Sequence, residues 1–83
     1  MIDKIKKELL DSGCKLRIID GKEVFIKDNL YIRIDFVKDW NEYIIETAES
    51  KEDAEKNLFE DSDYIKITAS DEEIKTIIAS CLI

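Results

Sequence analysis

Carboxylates dominate the side chains of this sequence that could do chemistry: twenty Asp and Glu residues stand beside two cysteines and no histidine. Without histidine there is no ordinary base for neutral pH and no histidine-based triad. A buried pair of carboxylates is the remaining route to acid–base catalysis, but the acids here are spaced like surface residues. Cys14 and Cys81 have no histidine and no second nearby cysteine to complete a zinc site. Both fall at positions expected to face a core, where a thiol behaves as a small hydrophobe. Glu60-Asp61-Ser62-Asp63 lacks the glycine and the distal glutamate of a calcium loop. With Gly13 and Gly21 as the two glycines, there is no phosphate-cradling loop. The expectation is a chain that is not an enzyme, with no metal and no cofactor.

The acids are unevenly placed. Residues 1–41 hold eight acids and nine bases, a net of +1, while residues 42–83 hold twelve acids and four bases, a net of −8. Within that second half, Glu42 to Asp63 carries nine acids against Lys51 and Lys56. Such a one-sided field attracts basic proteins and repels nucleic acid. Lys4, Lys6, Lys7, Lys15, Arg17 and Arg33 mostly lie near acids and read as a balanced, solvated surface. Trp40, at a polar hairpin turn, either staples the sheet edge or anchors a partner, since tryptophan is enriched among interface hot spots. The candidate partner-binding set is therefore Trp40, Glu46, Glu49, Glu52, Asp53, Glu55, Glu60, Asp61 and Asp63. The competing reading of the acids is a solvated segment that keeps the chain soluble.

Periodicity supplies the elements that position these residues. Ile2, Ile5 and Leu9 recur at helical spacing, and Gly13 follows as a residue able to close the helix in the left-handed region, which predicts a helix over 2–12. Four runs of period two follow, Cys14–Ile18, Glu23–Lys27, Leu30–Val37 and Glu42–Thr47, separated by short polar turns. Ser50-Lys51-Glu52-Asp53 opens a second helix that ends near Phe59. Tyr64–Thr68 is a fifth strand, with Ile65 and Ile67 on one face. Ser70-Asp71-Glu72-Glu73 is a capping box, and Ile74, Ile77, Ile78, Cys81 and Leu82 form one stripe of the last helix.

Segregation of faces suggests the register. A two-residue Asp20-Gly21 turn would pair Leu16 with Phe25 and Ile18 with Glu23, mixing apolar and charged residues. Three-residue loops at Ile19-Asp20-Gly21 and Lys27-Asp28-Asn29 instead pair Leu16 with Val24, Cys14 with Ile26, Ile26 with Leu30 and Val24 with Ile32. The third turn, at Asp39-Trp40, pairs Phe36 with Tyr43 and Ile34 with Ile45. The other face then reads Arg17, Glu23, Arg33, Glu46, a ladder of alternating charge. Phe25, Tyr31, Ile19, Val37 and Ile44 also fall on that face, either under the second helix or as a partly apolar surface for a partner or a homodimer.

Together these elements predict one α+β domain over residues 1–83. It has an N-terminal helix, a four-stranded antiparallel meander, a short helix, a fifth strand and a C-terminal amphipathic helix. Helices one and three lie on one sheet face. The position of the fifth strand stays open, because its connection is long enough for a parallel crossover. No run approaches the roughly 20 apolar residues of a membrane span. The first residues, with an acid and no long apolar core, do not read as a secretory signal. Two cysteines and no disulfide framework fit a cytoplasmic protein.

The run Trp40-Asn41-Glu42-Tyr43, followed by Ser50-Lys51-Glu52-Asp53-Ala54-Glu55, resembles the aromatic strand and S-x-E-x-A helix of small acidic immunity proteins from bacterial polymorphic toxin systems. That resemblance implies a stoichiometric inhibitor that covers the active site of a toxin domain, often a basic nuclease, with acidic side chains. A homodimeric structural or regulatory module is the alternative reading.

Overall fold

A computed structural model describes residues 1–82. Its elements run α1 (Ile2–Asp11), β1 (Lys15–Ile19), β2 (Lys22–Lys27), β3 (Leu30–Val37), β4 (Glu42–Ala48), α2 (Lys51–Glu55), β5 (Glu60–Lys66) and α3 (Asp71–Cys81). The chain is an α+β domain whose five strands lie in sequence order, every neighbouring pair antiparallel. The open question of the fifth strand is thus answered: β5 turns back beside β4 and forms the sheet edge. None of the described helices is long and apolar enough to cross a membrane.

Local signals set one end of each helix. Gly13, with φ of 97°, closes α1 in a Schellman motif: its N–H donates to the Leu10 carbonyl and that of Cys14 to the Leu9 carbonyl, both at 3.1 Å. Asn57 does the same for α2 at φ 62°, with N–H groups of Asn57 and Leu58 donating to the Ala54 and Asp53 carbonyls. That left-handed asparagine is why α2 stops at Glu55 and does not continue toward Phe59. At α3 the Ser70 hydroxyl accepts from the Glu73 N–H while the Glu73 carboxylate accepts from the Ser70 N–H, the full capping box.

The core lies between one sheet face and the pair α1 and α3. Ile5, Leu9, Phe25, Ile32, Ile45, Ile65, Ile74 and Ile78 form it, with Cys14 at its border. Each large apolar side chain here contributes roughly 1.5–3 kcal/mol of burial. This helix-covered face also takes Leu30, Ile34 and Tyr43.

The first two hairpins correct the predicted register. Asp20 and Gly21 both sit at positive φ, 53° and 76°, and Ile19 pairs with Lys22. That is a two-residue type I′ turn, whose twist matches the strands it joins. Leu16 consequently faces Phe25 and Ile18 faces Glu23, while Lys27 pairs with Leu30 and Phe25 with Ile32 across the next turn. The inferred charge ladder survives only in its second half, where Arg33 faces Glu46. Glu23 lies on the helix-covered face and binds Lys6 of α1 at 2.9 Å. Phe25, expected on the outer face, is a core residue, and Val24 is buried on the outer face instead. Face segregation misled because β1 is an edge strand, where Leu16 and Ile18 can stay partly exposed. The third hairpin matches the expectation, with Phe36 opposite Tyr43 and Ile34 opposite Ile45.

Candidate protein-binding site

The acidic segment is not one surface. A bulge in β5 divides it: Asp61 pairs with Glu46 and Asp63 with Ile45, leaving Ser62 as the extra residue. Asp61 and Asp63 are two apart and would share a face of a regular strand. Here Asp61 lies on the outer face, and Asp63 lies on the helix-covered face, where its Oδ2 accepts from the Cys81 Sγ of α3 at 3.2 Å. Burial and that neighbouring carboxylate push the Cys81 thiol up to about 12. Cys14, the other free thiol, is raised by burial, opposed by the charge of Lys27.

Glu46 is a structural group. Its Oε1 accepts from the Arg33 Nε at 3.4 Å, and the two side chains are only 15% and 12% exposed. Burial raises the Glu46 carboxyl above the ordinary range; a hydrogen bond and like charge from Asp35 raise it further, and Arg33 opposes both. The Arg33 guanidinium stacks 4.2 Å over the Phe59 ring and donates through Nη1 to the Asn57 side chain. Arg33 is therefore a clamp. It gathers the connection after α2 onto the outer face, and with Ala48 and Ala54 it closes that end of the sheet.

Of the remaining acids, Glu52 and Glu55 sit on the exposed side of α2, paired one turn away with Lys56 at 2.7 Å and Lys51 at 3.9 Å. Glu49, Asp53 and Glu60 meet at an open cleft of ≈ 430 Å³ between α2 and the start of β5, together with Leu58 and Phe59. Ser50 holds Asp53 there by capping α2, its hydroxyl accepting from the Asp53 N–H at 3.1 Å. No group of three or more carboxylate or thiol side chains among the described residues is arranged to hold a metal ion.

The other end of the outer face is open. Trp40, in the turn between β3 and β4, is 60% exposed, and Tyr64 of β5 is 40% exposed. Their ring centroids lie 5.9 Å apart at an angle of 43°. Beneath them, Tyr64 pairs with Ile44. The Tyr64 hydroxyl donates to Asp61 at 3.0 Å, a bond that raises the phenol above its ordinary value. Glu42, paired with Lys66, completes the rim. Asn41, at φ 51°, turns the loop so that Trp40 stands over the sheet.

Trp40 and Asp61 of the anticipated set thus come together on the outer face. Glu49, Asp53 and Glu60 form a second group at the far end of β5. Glu46 is half-buried in the clamp, and Asp63 faces α3. Tyr64 was missed, although alternation with Ile65 was enough to place it away from the core. Arg33, Asn57 and Phe59 were missed as a unit because nothing local links residues so far apart in the chain. Comparisons with protein-family models, with curated proteins and with solved structures found no match to this chain.

Proposed function

We propose that this chain is a non-enzymatic, cytoplasmic protein-binding domain, an immunity-type inhibitor that docks a basic partner through its acidic segment. The observation that carries the reading is the exposed Trp40–Tyr64 pair, its rings tilted with centroids 5.9 Å apart and tied to Asp61 through the Tyr64 hydroxyl. Two aromatic rings of this kind supply contact area with little rotamer entropy to lose, and a rim of acids steers an approaching basic surface. The acids of the cleft, Glu49, Asp53 and Glu60, extend the negative field along β5. The formal charge of −7 strengthens that steering and makes it sensitive to salt.

The test is a tagged pull-down from the cell that encodes the chain, repeated at high salt and with Trp40→Ala. A basic protein that elutes with salt and is lost with the variant supports the reading. Reversing Glu49, Asp53, Glu60 and Asp61 to lysine then slows association with that protein at low salt by roughly 10–1000-fold. A partner retained by Trp40→Ala, with an unchanged association rate after charge reversal, rejects it.

A further inference from the structure

The strand at the opposite edge, β1, has features the aromatic face does not explain. Its sequence Lys-Leu-Arg-Ile-Ile contains no acid, in a chain of net charge −7. In a two-residue I′ hairpin the closing pair, here Ile19 and Lys22, exchanges both main-chain bonds. Alternate residues of β1 therefore bond to β2, and Leu16 and Ile18 turn their N–H and C=O groups outward. The same two residues carry exposed apolar side chains, 38% and 64% exposed. They lie at the margin of the helix-covered face, where α1 ties to β2 through its Lys6–Glu23 pair and both side chains stay partly exposed. On the other face stand Lys15 and Arg17, neither with a carboxylate partner among the described residues. A cleft of ≈ 400 Å³ at this edge is lined by Gly13, Lys15, Arg17, Ile26, Lys27 and Asp28, three cations against one acid.

The contrast with β5 is informative. That edge bears Glu60, Asp61 and Asp63 and a bulge, devices that discourage strand pairing. On β1 the guards are two cations, Lys15 and Arg17, and the Arg17 Nη1 donates to its neighbour's outward carbonyl, that of Leu16, at 2.9 Å. A second copy joined two-fold through β1, with Leu16 and Ile18 facing each other across the seam, would set the two Arg17 side chains opposite one another, which like charge disfavours. The same cation favours an acid.

We propose that β1 accepts an extended segment of a protein partner by strand addition, in which apolar residues alternate with Asp or Glu. The outward N–H and C=O groups of Leu16 and Ile18 would take its main chain, Leu16 and Ile18 would take its apolar side chains, and Lys15 and Arg17 its carboxylates. This site is independent of the aromatic face and of the partner proposed for it.

Blocked peptides of alternating valine and glutamate, and of alternating valine and lysine, test it by amide NMR titration of the whole chain. The valine–glutamate peptide should bind, with shifts concentrated over Lys15–Ile19, and the lysine peptide should bind about tenfold more weakly. Leu16→Pro, which removes one outward N–H and no bond to β2, should abolish binding while the thermal melt shows a folded protein. Arg17→Glu, an exposed substitution that keeps the test decisive if the proline variant does not fold, should reverse the preference between the peptides. Equal binding of both peptides, shifts centred on β5 or Trp40, or a dimer in light scattering that occupies β1 would each overturn the proposal.

Discussion

On its helix-covered face the sheet buries Ile32, Ile45 and Ile65 completely against Ile5, Leu9, Ile74 and Ile78. On its outer face, closure at one end depends on a polar hub: Arg33 joins Glu46, Asn57 and Phe59. The first arrangement is non-directional and spread over many side chains. The second is directional and concentrated in one residue. The hub closes one end of the outer face, and the other end, around Trp40 and Tyr64, stays exposed. A small domain can thus keep an aromatic surface open without a loose core, because the layer that holds the fold together is on the far side of the sheet.

Removing one member of each arrangement tests this difference. Ile32→Ala, at the centre of the apolar layer, should cost about 3–4 kcal/mol in urea unfolding, from lost burial and the cavity left behind. Its hydrogen exchange should accelerate throughout the sheet, since the loss is global. Arg33→Ala should cost less overall, about 2 kcal/mol, by leaving the desolvated Glu46 carboxyl without its hydrogen-bonding cation. Its signature is local: amides of Asn57–Phe59 should exchange much faster than those of β3 and β4. Uniform acceleration in both variants would erase the distinction between the faces. Ser70→Ala, which removes one half of the α3 capping box, should cost about 1 kcal/mol. It should lower the urea midpoint at unchanged slope.

The smallest effect sharpens the description of the hub. Because the folded Glu46 carboxyl is raised above its ordinary value of 4.5, the native state holds that proton more tightly than the unfolded chain. Stability from this group is therefore greatest at low pH and falls as pH rises through the window above 4.5. Glu46→Gln retains an acceptor for Arg33 and removes the titration. At neutral pH its stability should lie within about 1 kcal/mol of the parent. Between pH 4.5 and neutrality the parent should lose stability relative to the variant; parallel curves would mean that Glu46 is not raised.

How much was readable without the structure depended on how far apart the deciding residues are. The α3 cap is written in four consecutive residues, Ser70 to Glu73, and needed nothing else. The Phe36–Tyr43 and Arg33–Glu46 pairs followed from one turn and two alternating runs. The Leu16–Phe25 pair runs against face segregation. At Asp20-Gly21 the local backbone preference is the stronger constraint, and an edge strand tolerates exposed Leu16 and Ile18. The division of the acidic segment was not legible at all. It rests on Ser62 being extruded as a bulge and on Arg33 reaching Phe59 and Asn57 across the outer face.

By itself the sequence determined the order and type of the elements, the close of α1 at Gly13, the Ser50 and Ser70 caps, the antiparallel meander and the stripe of α3, since these rest on propensity, periodicity and contacts between near neighbours; the end of α2 and the span of β5, Glu60–Lys66 and not Tyr64–Thr68, it did not. It also determined the excess of acid after Glu42 and the lack of any histidine. Tertiary structure alone decided that β5 returns beside β4, that Asp61 and Asp63 part to opposite faces, and that Trp40 meets Tyr64 on an open surface. Those outcomes depend on packing between residues distant in the chain, where each competing arrangement satisfies the local rules equally and only the assembled layers distinguish them.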